Sequence, residues 1–416
     1  MMRNQLLSAT LLGLAASAAQ VSLAHANGFV LFDHGAAATG RGNAVTATIE
    51  DGSAIVHNPA GVAIGSGTNI LVGGSLILPN GAFTPEGSND AIKSTAPRAF
   101  TPQFYVTSKV HDAIAVGVGV HAPFGSKISW SADVPFADEV RSQALRAVFI
   151  TPIVAVDLNR WVPGLRIGGG PDFVPSDVEL TQDIYFGQAT GSARLGGTAF
   201  GVGGRVGVMY APPAVPKLSF GAMYRSDVKL DFTGNGDFDA DQPYRGQLPP
   251  DGKISTSITL PQQISGGVAV RPVCGLEVEA NAVWTDWKKV DKIDIVLPDG
   301  SVSTSARDYI SKVTWRAGAA YTIPTQQNVT VRAGYMFDPT PVPDTRLTGA
   351  LPDMNRHDIT AGASFRHGRY HLDLGALLVL PGSRKTSSTP GEPTYKGTYD
   401  LSALVLSATF GVHLGK

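Results

Sequence analysis

The chain has 416 residues, a formal net charge of −1 and 16% charged residues, against about 25% in ordinary soluble domains. That balance excludes the clustered Lys and Arg of a nucleic-acid binder. The single cysteine, Cys274, excludes a disulfide framework and any Cys-rich metal site.

Residues 1–26 read as a secretory signal peptide. Arg3 precedes a short apolar run, Leu6 to Ala19, and the small-x-small site Ala24-His25-Ala26 follows. The run is shorter than the roughly 20 residues a membrane-spanning helix needs. Cleavage after Ala26 leaves a chain beginning Asn27-Gly28-Phe29.

Residues 27–67 are rich in Gly, Ala and Asn. They contain Gly40-Arg41-Gly42-Asn43 and Asn58-Pro59-Ala60-Gly61. The segment is too irregular for a lipid-facing strand and too long for a turn. It is expected to fold back as a plug inside a barrel, where irregular backbone finds polar partners.

From residue 68 to 416 the pattern changes to period two. Ile114, Val116, Val118 and Val120 alternate with Ala115, Gly117, Gly119 and His121. Val329, Val331, Ala333, Tyr335 and Phe337 alternate with Thr330, Arg332 and Gly334, and similar runs lie near 200–210, 218–225, 276–284 and 315–321. Strands about ten residues long, apolar on one face and small or polar on the other, with aromatic ends, are those of a transmembrane β-barrel.

Short connections are expected near 109–112, 157–164, 211–217, 271–275, 322–328 and 366–369. Long polar ones are expected near 79–98, 122–145, 181–198, 231–257, 286–312, 338–357 and 381–399. Six and seven alternating connections join fourteen antiparallel strands, with both termini on the short-turn, periplasmic side. The expected fold is all-β, a 14-stranded transmembrane barrel with an N-terminal luminal hatch.

No enzyme constellation is present: His-Glu-x-x-His, Gly-x-Ser-x-Gly and the phosphate-binding loop are all missing. No catalytic residue, metal or cofactor is expected. Asn235, Asp237, Asp239 and Asp241 alternate as calcium ligands would, but the required Gly and Glu positions are unfilled.

Several stretches resemble the FadL family of outer-membrane transporters for long-chain fatty acids and hydrophobic compounds. They are Asn27-Gly28-Phe29; Gly40-Arg41 with Asn58-Pro59-Ala60; His121-Ala122-Pro123-Phe124-Gly125; Thr259-Leu260-Pro261 before Ile264-Ser265-Gly266; and Trp284-Thr285-Asp286-Trp287. The longest lies within Val331 to Gly362 and includes Leu351-Pro352-Asp353-Met354-Asn355-Arg356-His357. The matches span nearly the whole mature chain in order. Three features depart from the family: Asp177 and Glu179 stand where its fatty-acid member carries a basic luminal side chain, the chain ends on Lys416 instead of an aromatic residue, and Cys274 sits on a short turn.

The resemblance implies capture of ligand outside, an internal site, gating by the hatch N-terminus and lateral release through the wall. Phe29 then belongs to the internal pocket, and Asn58-Pro59-Ala60 anchors the hatch to the wall. Phe124, Trp130 and Phe136 are expected at the surface as the first capture patch. Arg41, Arg205, Arg225, Arg316 and Arg332 are expected inside, because Arg on the lipid side at mid-bilayer costs about 2–4 kcal/mol. Any of them could meet a ligand head group. Asp177 and Glu179 are read as luminal, with Val178 and Leu180 on the lipid side; two luminal acids would repel a carboxylate and favour neutral lipophiles, the alternative being that both simply pair with luminal arginines and never meet ligand.

The function expected is passive uptake of hydrophobic small molecules, long-chain fatty acids or aromatic and aliphatic hydrocarbons, in the outer membrane of a Gram-negative bacterium. The partners expected are the ligand, outer-membrane lipid and lipopolysaccharide, with no nucleic acid, and the protein is expected to be a monomer. The alternative is a general porin for polar solutes, which needs an open, charged constriction.

Overall fold

The computed structural model describes residues 28–187, 189–387 and 394–415. The signal peptide expected at 1–26 lies outside the described residues. Fourteen antiparallel strands form the wall. They are β1 (Thr68–Pro85), β2 (Ala99–His111), β3 (Ile114–Ser129), β4 (Ser142–Asp157), β5 (Leu165–Phe186) and β6 (Ala189–Tyr210). Two strands are broken into segments: β7 (Leu218–Arg225 and Val228–Asp239) and β8 (Gly252–Leu260 and Gln263–Val270). The rest are β9 (Leu276–Thr285), β10 (Lys312–Thr322), β11 (Val329–Asp338), β12 (Arg356–His367), β13 (Tyr370–Lys385) and β14 (Gly397–Leu414). Each pairs with the next, and β14 pairs back onto β1 from Thr68↔Leu414 to Pro85↔Gly397. Closure joins the first and last strands, so neither is left as a free edge, which hydrocarbon would penalise.

The alternation assigns the faces. Outward residues such as Val202, Val206, Val268, Ile359, Leu374 and Phe410 are exposed on the isolated chain and form the apolar band that lipid covers. The short connections fall where the spacing placed them. Two long ones do not. The region 181–198 is no loop: β5 and β6 continue to Phe186 and Ala189, paired throughout. Much of 231–257 is likewise strand, with Thr233 opposite Ser255. Polar alternation extends these strands beyond the bilayer, and polar composition by itself reads as loop. Asn235, Asp237 and Asp239 therefore lie on the exposed face of β7 and not in a loop.

Residues 28–67 occupy the lumen. They include two single-turn helices, α1 (Ala36–Thr39) and α2 (Ala54–His57), and a 3-10 turn at Pro59–Ala63. Nearly every residue is buried. One side packs on apolar wall: Val45, Ile49 and Ile55 meet Leu71, Tyr105, Ala115 and Ile153. The other side is polar. Arg41 reaches Glu277 at 2.7 Å and Glu279 at 3.7 Å, and Ala47 N–H donates to Glu279 at 2.7 Å. Space for this segment comes from luminal glycines. A Cβ on Gly221 would stand 2.0 Å from the Thr46 carbonyl oxygen, and one on Gly318 would stand 2.1 Å from that of Arg41.

Candidate ligand cavity and gate

The hatch begins with an extended run, residues 29–34, at a defect in the wall. β2 and β3 pair from His111↔Ile114 to Phe104↔Val120 and no further, although β2 stays on β1 out to Ala99. Beyond Val120, β3 shifts register on β4 between His121 and Phe124. Pro123 lies in the shift, and proline brings no N–H to a ladder. The luminal run takes up the freed groups. Leu31 N–H donates to the Pro123 carbonyl at 2.9 Å, and Gly125 N–H donates to the Phe29 carbonyl at 2.9 Å. On the other flank Gln103 of β2 accepts from Gly35 N–H at 2.6 Å and donates through Nε2 to the Asp33 carbonyl.

Phe29 stands between two aromatic rings, edge-on to Trp287 at 4.9 Å and tilted on Phe124 at 6.0 Å. Trp287 is fully buried and itself meets Tyr309. Gly28 has φ +64°, and a Cβ there would lie 2.3 Å from the Trp287 ring, so both the turn and the indole demand glycine. Gly28 N–H donates to Asp353 at 3.3 Å, and Thr340 Oγ1 donates to the same carboxylate at 2.6 Å. Burial pushes the Asp353 carboxyl up to about 7, with Asp338 adding to the rise and Thr340 opposing it.

Above Phe29 lies a cavity of about 410 Å³ that reaches the outer loops. Its deep wall is apolar, with Phe29, Leu145, Val178, Phe232, Ile258 and Leu351. Its outer end is polar, with Gln143, Gln182, Thr304, Arg307 and Glu139. Burial raises the Glu139 carboxyl to about 7, Asp138 adds to the shift and Arg307 opposes it. Volume and lining suit a small lipophile with one wet end.

The structure corrects two expectations about this region. Asp177 and Glu179 are on the outer face, where both pair with Arg146, at 2.6 and 2.8 Å. Val178 and Leu180 line the cavity, which Glu179 also borders. The register is set by Asp172, fully buried against Arg205 at 2.8 Å, five residues before Asp177 in the alternation and so on the opposite face. The repulsion expected from these two side chains is therefore offset by Arg146 on the outer face. The second correction concerns Phe124, Trp130 and Phe136, expected at the surface. All three are buried. Trp130 Nε1–H donates to the Gly349 carbonyl at 3.0 Å, and Trp130 and Phe136 pack with Phe83 and Tyr399 into a core under the outer loops.

The remaining candidates are spread over the lumen. Asn58 donates its amide to Thr46, Val208 and Ala222 carbonyls, at 2.8, 3.0 and 3.4 Å, and accepts from Ala60 N–H. Pro59 and Ala60 form the buried start of the 3-10 turn. Arg205 is committed to Asp172 and to the Ile55 carbonyl at 2.9 Å. Arg316 stacks on Phe32 at 4.2 Å and donates to the Asn43 carbonyl. Arg332 donates to Ser364. Arg225 lies over Phe124 at 4.5 Å, and its Nε and Nη2 are buried with no hydrogen-bond partner among the described residues. None of the five arginines lines the 410 Å³ cavity. Sequence reasoning passed over Trp287, Gln103, Asp353 and Phe232. Trp287 and Asp353 stood in quoted motifs; Gln103 and Phe232 carried no local signal.

A family model described as outer membrane protein transport protein (OMPP1/FadL/TodX) matches residues 16–413. The chain belongs to this family. Its members are outer-membrane transporters or channels for hydrophobic compounds, and the chain is accordingly an outer-membrane protein. It is 22% identical to the long-chain fatty acid transport protein of Escherichia coli K12, over 87% of this chain and 90% of that one. In fold it is similar to a FadL homologue from Pseudomonas aeruginosa, with TM-score 0.83, 16% identity and coverage of 93% and 100%. It is also similar to the toluene transporter TodX of Pseudomonas putida, with TM-score 0.76, 16% identity and coverage of 92% and 99%.

Proposed function

We propose that this chain carries hydrophobic small molecules passively from the outer surface into the membrane plane. The reading rests on one observation: the wall is unpaired between β2 and β3 beyond Val120, and the run from Phe29 to Gly35 fills that defect while its first ring closes the cavity. A lipophile in the cavity competes with the rings packed around Phe29. Displacing the run opens a gap that faces lipid, so the solute moves from one apolar environment to another. No protein hydrogen bond in the run is individually strong, because each is worth only about 1 kcal/mol net. A ligand of moderate affinity therefore suffices.

Fatty acids and hydrocarbons both fit this reading, as do the names of the fatty acid and toluene transporters to which the chain is similar. With Asp177 and Glu179 outside and Asp172 neutralised by Arg205, no unpaired luminal acid on β5 opposes a carboxylate, and Arg225 offers Nε and Nη2 without hydrogen-bond partners beside the gate. Liposomes containing the purified protein are expected to take up a labelled fatty acid or alkylbenzene faster than empty ones. Equal rates remove the proposal, and a large steady ion conductance instead would favour the porin reading.

A further inference from the structure

We infer that three neighbouring periplasmic turns, those joining β4 to β5, β6 to β7 and β8 to β9, form a preformed apolar and basic platform that is seated in the inner, phospholipid leaflet.

Their tips carry the exposed side chains Trp161, Val162, Val215 and Val273, with relative exposures of 67, 44, 50 and 59%. Such residues at the water end of a turn have no packing reason to be there. The turns are also joined to each other. Lys217 Nζ donates to the Pro272 carbonyl at 3.0 Å, and Arg271 N–H donates to the Lys217 carbonyl at 2.8 Å. The tips of the second and third turns therefore hold one relative position instead of moving as separate loops.

On β7 and β8 the wall above them is short of apolar height, while β6 is outward-apolar from Phe200 to Tyr210. On β7 the outward apolar run is Leu218 to Tyr224, and on β8 it is Ile264 to Val270. Above these, Tyr224 donates to Gln262 and Lys229 pairs with Asp231, marking the polar boundary. Seven residues of tilted strand cover roughly 18 Å, while the apolar band of an outer-membrane barrel is about 25 Å tall. The missing height corresponds to the turns themselves. On the far side β14 runs outward-apolar from Leu404 to Leu414, long enough to span alone, and the turn between β10 and β11 has a polar tip, with Gln326, Gln327 and Asn328 exposed.

The charge pattern selects the partner. Arg160 precedes Trp161 and Lys217 follows Val215, whereas Arg271, before Val273, is paired with Glu277 at 2.5 Å. Aromatic and aliphatic side chains flanked by long basic ones are interfacial anchors, with the cations reaching lipid phosphates. The apolar surface is also continuous with the lipid-facing wall, through Tyr210, Phe220 and Val270. A phospholipid surface meets each of these features, and an acidic soluble protein would leave the Trp and Val tips unexplained.

Cys274 is exposed and lies in the third turn, so the native chain supplies its own probe. A nitroxide spin label is placed on Cys274 of the full-length protein in nanodiscs of phosphatidylethanolamine and phosphatidylglycerol. Collisions with molecular oxygen are expected to exceed those with a water-soluble nickel chelate. The same label on Gln326→Cys, in a Cys274→Ser background, is expected to show the reverse. Equal nickel access at both positions overturns the inference and leaves this rim free for a periplasmic protein, because the discs contain none.

Discussion

The Leu31 amide donates to the Pro123 carbonyl at 2.9 Å, so a residue of the luminal run satisfies a strand whose proper neighbour has left it. The wall is complete only while that run stays in place. On the proposed reading this is a gate, since the same hydrogen bonds close the barrel and hold the plug's first residues.

Phe29→Ala tests how firmly the run is held. The ring contacts with Trp287 and Phe124 are each worth about 0.5–1.5 kcal/mol beyond area burial. Amides of residues 29–35 are expected to exchange hydrogen at least ~10-fold faster in the variant, a change of about 1.4 kcal/mol. Amides of β9 and β10 are expected to stay unchanged. Mass spectrometry of exchanged peptides reads both, and unchanged exchange at 29–35 would show that the rings do not anchor the run.

Asp353 makes the anchoring dependent on pH. Burial raises its folded pKa to about 7, well above the ordinary carboxylate range of about 4. The folded state therefore binds the proton more tightly than the unfolded one. The associated stability is fully present below about 4 and is lost as pH rises through about 7. Asp353→Asn is expected to flatten that decline. Urea unfolding midpoints between pH 4 and 8 measure it, and parallel slopes for both proteins would count against the assignment.

The Arg205–Asp172 pair is fully buried, at 2.8 Å. Removing one partner of such a pair costs about 3–5 kcal/mol, while replacing both with apolar residues is often near neutral. Asp172→Asn or Arg205→Met alone is expected to lower the unfolding midpoint strongly. The double variant Arg205→Met with Asp172→Leu is expected to recover most of the loss. An additive double variant would show that Arg205 matters mainly through its bond to the Ile55 carbonyl.

Gly221→Val tests the fit of the hatch. Its added Cβ would stand 2.0 Å from the Thr46 carbonyl oxygen, a clash with hatch backbone that no rotamer relieves. Overpacking of this kind costs about 1–3 kcal/mol, and the hatch can yield more readily than the hydrogen-bonded wall. The variant is expected to insert as a barrel but to conduct ions in planar bilayers more than the parent does. Identical conductance would mean that the hatch adjusts without opening a water path.

How much of this was legible beforehand follows from the range of the interactions. Alternation along β3, β7 and β11 already assigns lipid and lumen faces, because a strand side chain can point only one of two ways and the bilayer rejects the wrong one. Turn composition then counts the strands. That reasoning fails on β5, where Gly168, Gly169, Gly170, Pro171 and Pro175 interrupt the pattern and both registers look equal. The choice is made by Arg205, a residue of the next strand, which needs Asp172 inside; Asp177 and Glu179 are thereby turned out to Arg146. The outer-loop aromatics were misplaced for a related reason. Trp130 and Phe136 sit in a polar stretch, and only the approach of Phe83, Tyr399 and the Gly349 carbonyl from distant loops removes them from water. The proposed gate is the extreme case. Pro123 announces a break in β3, but the sequence holds no local sign of what mends it. Leu31 lies far from it in sequence and reaches it only through the tertiary fold, because backbone hydrogen-bonding groups in a lipid-facing wall must find partners wherever the fold can bring them.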